Sequence, residues 1–194
     1  LAALTGTFFA VVGIFLIARI PWVERGVGHD RLVTWHRKLG PWSLYLVGIH
    51  VLFITLSSAG NNGTMLAVEL WRMLHSLSWM WPALAGFILM VAAGVTSYKK
   101  ARAKMSYETW WIIHVYTYVA MAISFMHQIL NGQMFVGHPL NRLYWISLYI
   151  LMVACVVYYR FGIPLVRSLQ LNLVVEQSWS NDSWSNDSWS NKYA

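Results

Sequence analysis

What most limits the fold of this chain is where its charges fall. Leaving histidine aside, residues 1–18, 39–68, 73–98, 109–141 and 143–159 contain no Lys, Arg, Asp or Glu. A hydrocarbon core about 30 Å thick takes ~20 residues of helix to cross. Each stretch can therefore hold one span, and the longer ones their loops as well. With charged residues at 11% and hydrophobic ones at 58% of 194, the composition excludes a disordered chain and argues against a water-soluble globule. The single cysteine, Cys155, excludes an internal disulfide and any multi-cysteine metal site. The expected fold is all-α, a polytopic membrane helical bundle with helices near 1–20, 33–58, 80–99, 107–131 and 142–162. The first run lacks the basic start and small-residue cleavage pattern of a signal peptide, so it is kept as a span.

The net charge of +7 does not form a solvated patch, which removes nucleic acid as a partner. Arg19, Arg25, Arg31, Arg37 and Lys38 border the first loop, Lys99, Lys100, Arg102 and Lys104 the third, and Arg160 and Arg167 follow the last span. Only Arg72 and Arg142 fall on the opposite side. The positive-inside rule makes the crowded side cytoplasmic and leaves residues 57–79 and 131–141 as outer loops. In the first of these, Gly60-Asn61-Asn62-Gly63 reads as a turn. Leu66, Leu70, Met73, Leu74 and Leu77 then recur at helical spacing beside Trp71, Trp79 and Trp81. That pattern predicts a short amphipathic helix in the outer interface.

Ligand-capable side chains inside a span are functional candidates by default. His36 and His50 fall on the second helix, 14 residues apart, and His114 and His127 on the fourth, 13 apart. Both helices run from inside to outside, so His36 is level with His114 and His50 with His127. The two levels lie ~21 Å and ~19.5 Å apart by the two offsets. A lone metal ion wants three or four clustered ligands, whereas two facing ligands suit an iron porphyrin, whose ring supplies the other four donors. Two stacked haems across a bilayer have one evident use, moving electrons. Arg37 and Lys38 stand beside the inner pair as candidates for its propionates, with Arg72 and Arg142 weaker candidates outside. One detail does not close: 14 residues keep His36 and His50 on one face, but 13 turn His114 and His127 ~140° apart. Either the fourth helix is distorted near Thr117 or Ser124, or it meets the two haems from different sides. His29, His75 and His138 lie between spans and read as interfacial residues.

The segment DRLVTWHRKLG at 30–40 followed by His50, and YETWWIIH at 107–114 followed by His127, resemble the ferric reductase-like transmembrane domain. That family includes ferric reductases, NADPH oxidases and bacterial ferredoxin-reductase-type membrane proteins. The resemblance covers about residues 20–175. It implies a six-helix bundle, two b-type haems ligated by His36, His50, His114 and His127, and electrons passing from cytoplasmic NAD(P)H through FAD to an outer acceptor. Only five spans are present, so the family's first helix is expected to precede Leu1. Residues 1–168 are expected to form the bis-haem domain and 169–177 the start of a truncated flavin-binding domain. Leu171-Asn-Leu-Val-Val-Glu176 alternates like a strand. The repeat of Ser178-Trp-Ser-Asn-Asp182 makes 178–194 a tag-like or filler tail, with no Gly-rich phosphate loop.

The leading expectation is thus an oxidoreductase membrane component in a plasma membrane, bacterial, with basic loops cytoplasmic. A flavin dehydrogenase domain or subunit serves it from inside, and ferric iron or oxygen accepts electrons outside. FAD and NAD(P)H belong to the absent domain only. One alternative is a haem-binding subunit served by a separate reductase or quinol. Another, of a different class, is a transition-metal transporter, which would want its histidines on one level.

Overall fold

The computed structural model describes residues 1–170, and every described element is helical. Helix α1 (Ala2–Leu16) turns through 91° into the short α2 (Pro21–Val27). Arg19 takes a left-handed φ of 63° in the corner, and Pro21 starts α2 where its missing N–H costs nothing. The expected first span of 1–20 holds α1 and the corner after it, and the bent pair reaches past it to Val27. Helix α3 (His29–Asn62) is longer than the expected 33–58. The presumed turn at 60–63 is its last turn, closed by Gly63 at φ 62° as a left-handed cap. Then follow α4 (Leu66–Ser76), α5 (Met80–Ser97), α6 (Lys99–Arg102), α7 (Tyr107–Asn131) and α8 (Pro139–Cys155). Helix α8 widens into a π segment at Val156–Gly162 and runs on helically to 170. Four helices are long and apolar enough to cross a membrane, or five if the bent pair is one span. This is an integral membrane bundle. The expected strand at 171–176 and the tail at 178–194 lie outside the described residues.

Side-chain contacts fix the register. Ser43 Oγ donates to the Gly6 carbonyl at 2.7 Å, and His36 Nδ1 to the Gly13 carbonyl at 2.9 Å. Seven residues up α1 match seven down α3, so the two run antiparallel. A Cβ at Gly94 would lie 2.6 Å from Leu44 and one at Gly48 3.9 Å from Phe87, making α5 antiparallel to α3. Gly86 against Ala120, and Ser97 against His114, make α5 antiparallel to α7 as well. Helices α3 and α7 therefore run the same way, as the histidine argument requires. The closest packing is of α1 on α3 and of α5 on α7, where small residues let backbones approach in the absence of a hydrophobic drive between helices. Helices α3 and α7 are not closely packed on each other. Helix α8 closes the bundle through Trp145, Tyr149 and Met152, against Val11 and Ile14 of α1 and Met121 of α7. The face of α3 opposite His36, Ser43 and His50 exposes Tyr45, Ile49 and Leu52, which in a bilayer meet lipid.

The amphipathic α4 is present as expected and is tied to the end of α3 by one buried carboxylate. Glu69 is fully enclosed. It accepts from Ser58 Oγ, Asn62 Nδ2 (3.2 Å), Thr64 Oγ1 (3.1 Å) and the Arg72 guanidinium (Nε, 3.1 Å). Arg72 above all, with Ser58 next, holds the Glu69 carboxyl down at about 2 from an ordinary 4.5. A carboxyl depressed in the folded state stabilises above its ordinary pKa, and that contribution is lost as pH falls toward the folded value. Acidification between pH 4.5 and 2 is expected to loosen α4 from α3. Glu69→Gln should show the loosened state already at neutral pH, read as protease cutting between Gly63 and Met65. Equal cutting of parent and variant at both pH values would refute the latch.

Candidate functional site

Helices α3 and α7 bring the inner histidines together. The His36 and His114 ring centroids are 5.9 Å apart, with planes at 78°. Each ring is oriented through Nδ1. The Gly13 carbonyl can only accept, so His36 carries its proton on Nδ1 and keeps the Nε2 lone pair free. His114 Nδ1 lies 3.4 Å from Ser97 Oγ, which accepts from Trp110 Nε1 at 3.1 Å. Trp110 in turn stacks on the His114 ring at 5.1 Å and 20°, and carries Arg102 on its own face at 4.8 Å. Ser106 caps α7 by accepting from the Thr109 N–H, which fixes where this turn begins.

At the other level, His50 of α3 and His127 of α7 are each half-buried. Asn131 Nδ2 donates to the Ser78 carbonyl at 2.7 Å and stands 3.1 Å from His127 Nδ1, tying that ring to the α4–α5 connection. All four rings are half-buried, neither sealed in a core nor turned fully outward. Helix α7 is α-helical without a break from Tyr107 to Asn131. The offset of 13 is thus expressed in full. His114 and His127 leave α7 ~140° apart, and distortion at Thr117 or Ser124 is not the answer. Thr117 merely bonds back to the His114 carbonyl at 2.7 Å.

Two imidazoles bound through nitrogen to one metal, at about 2 Å each, place ring centroids roughly 6 Å apart. The inner pair therefore fits a shared metal between two oriented rings. The helices that carry the rings are not closely packed on each other. Among the described residues no three His, Cys, Asp or Glu side chains converge, so the remaining donors would have to come from the bound group itself.

The other expected residues are placed less favourably. Arg37 and Lys38 are exposed and have no polar partner among the described residues. They leave α3 about 100° and 200° around from His36. Arg72 is engaged by Glu69, and Arg142 is exposed in the first turn of α8. His75 packs against Trp71 and Trp81 on the outer surface, and His29 meets Glu24 at 3.1 Å. His138 is the residue before α8. Sequence reasoning missed the ring-orienting groups of Gly13, Ser97 and Asn131, and it placed Arg160 among the end-of-span charges. A backbone carbonyl leaves no trace in sequence. Arg160 does leave one, being followed by further apolar residues and by Pro164.

The family model described as ferric reductase like transmembrane component matches residues 2–125. The match starts earlier than the residue-20 start expected from the motifs, so it includes α1. It holds His36, His50 and His114 and ends two residues before His127. No curated protein and no solved structure matches the chain.

Proposed function

We propose that this chain, which belongs to the ferric reductase-like transmembrane family, passes electrons across the bilayer on two b-type haems. His36 and His114 hold one, and His50 and His127 the other. The observation that carries this reading is the inner pair: two rings from parallel helices, 5.9 Å apart, with the His36 Nδ1 proton held by the Gly13 carbonyl so that Nε2 is free to ligate. Each haem, when bound, supplies an iron that takes up and gives up a single electron.

The chain's own residues supply the rest. At His36 the Nδ1–H bond to the Gly13 carbonyl holds the ring plane and raises ligand basicity. The apolar faces of α3 and α7 exclude water from the path between levels. Arg19, Arg25, α6 and the start of α3 form a basic rim, read here as the cytoplasmic side, where a flavin dehydrogenase domain or subunit using FAD and NAD(P)H delivers electrons. Arg37 and Lys38 lie on that rim. The acceptor on the other side is a small oxidant, ferric iron or oxygen, and the membrane is a bacterial plasma membrane. Purified protein should carry two haems b per chain, counted by pyridine haemochrome, and show a b-type reduced-minus-oxidised spectrum. Protein that never takes up haem would end this reading.

A further inference from the structure

One charge in the last helix is unexplained by packing or by the histidine pairs. Arg160 lies half-buried in the π segment, a geometry that often marks functional sites. Its Nη1 donates to the Ile17 carbonyl at 3.0 Å, at the C-terminal end of α1. The Gly13 carbonyl, one turn earlier on α1, holds His36. Guanidinium and imidazole therefore hang from successive turns of one helix, ~6 Å apart along its axis.

Near this place a second polar group lacks a partner. The Tyr118 hydroxyl, one turn from His114 on the same face of α7, is buried and makes no hydrogen bond. Tyr118 packs on the buried cluster whose eleven members include Ile14, Ala18 and Val156. The charge of Arg160 reaches His36, His114 and Tyr118 alike. An arginine inside a membrane bundle is costly unless paired, and one carbonyl satisfies one of its five donors. Among the described residues it forms no ion pair. An orphaned buried hydroxyl is costly too. Both groups donate and both are left short of an acceptor, Tyr118 one turn from His114 and Arg160 one turn along α1 from the carbonyl that holds His36.

We propose that Arg160 and Tyr118 are the binding site for a carboxylate carried by the group between His36 and His114. On the haem reading above, on which this inference rests, that carboxylate is a propionate of the inner haem. The inward-reaching Arg160 takes the role for which Arg37 and Lys38, exposed on α3, are poorly placed.

The test compares wild-type holoprotein with R160Q, R160K and Y118F by potentiometric titration. It is followed by reconstitution of haem-depleted protein with haem b or its dimethyl ester. A cation beside a haem carboxylate favours the reduced centre, so R160Q is expected to lower the midpoint of one haem and leave the other unmoved. Wild type should prefer haem b over the diester about tenfold at one site, the worth of a charge-assisted hydrogen bond, and R160Q should lose that preference. R160K should keep the midpoint and lose part of the preference. Y118F should shift both in the direction of R160Q but less. The unmoved second haem reports that R160Q is folded; should R160Q fail to fold, R160K and Y118F decide by the same readouts. Two haems with wild-type midpoints and unaltered preference in the variants would overturn this inference alone. A wild-type protein that binds no haem would overturn the haem reading and this inference together.

Discussion

On the proposed function, changing His114 to alanine is expected to leave one haem where the parent protein would hold two. The inner rings face one another at 5.9 Å and would share a single iron, so His36→Ala should give the same loss and the double change no more. Residues that act as a unit are non-additive in this way. His50→Ala and His127→Ala should remove the other haem instead, and His36→Ala with His50→Ala should remove both. The remaining centre keeps its own ligands, so its spectrum should be nearly unchanged. Transfer across a proteoliposome membrane should cease in all four single variants, because one centre cannot bridge levels ~21 Å apart. Haem counts and transmembrane reduction of an entrapped dye measure both effects. A His36→Ala protein with both haems, or with neither, would contradict the pairing.

The second large effect is expected in the scaffold, at Gly86. A methyl group there would stand 2.8 Å from the Ala120 carbonyl and 3.3 Å from Ile123, with Ser124 closer still. The carbonyl belongs to the backbone of α7 and cannot swing aside, so α5 and α7 must part. Overpacking of this kind costs about 1–3 kcal/mol, and here it falls on one of the two closest helix interfaces. Gly94→Ala meets the tip of Leu44, a flexible side chain that can rotate, and should cost less. Gly48→Ala meets Phe87 at ordinary contact distance, 3.9 Å, and should be close to neutral. Thermal unfolding in detergent should therefore rank Gly86→Ala below Gly94→Ala and that below Gly48→Ala. Three equal midpoints would show that the helix spacing is not set by these glycines.

The parts of this architecture that were legible in the sequence are those written in periodicity and charge. The charge-free runs located the spans, and Tyr107–Asn131 was placed to the residue, because Ser106 caps one end and an Asn-Gly step closes the other. The seven-residue spacing of His36, Ser43 and His50 keeps them on one inward face of α3, opposite the lipid-facing Tyr45 and Leu52. The Leu-rich stripe of α4 was equally plain. What escaped depended on partners distant in sequence. Gly60-Asn61-Asn62 has turn composition, yet α3 runs through it because Ser58 and Asn62 bind Glu69 and hold that last turn in place. The 91° corner after α1 turns on Arg19, which no local rule assigns to a left-handed backbone. The Gly13 carbonyl that orients His36 can be found only once α1 and α3 are laid side by side. Arg160 looked like the charge that ends a span because its bond to Ile17 crosses most of the chain.

The sparse packing of α3 on α7 also bears on how the folded state is kept. The closest packing joins α1 with α3 and α5 with α7, and the middle between these halves is packed more sparsely. Whatever occupies that middle acts as a keystone, since a ligand that favours the assembled form stabilises it by mass action. On the haem reading, the cell's supply of prosthetic group would then govern how much of this protein survives quality control, matching the number of electron conduits to the cofactor available to furnish them.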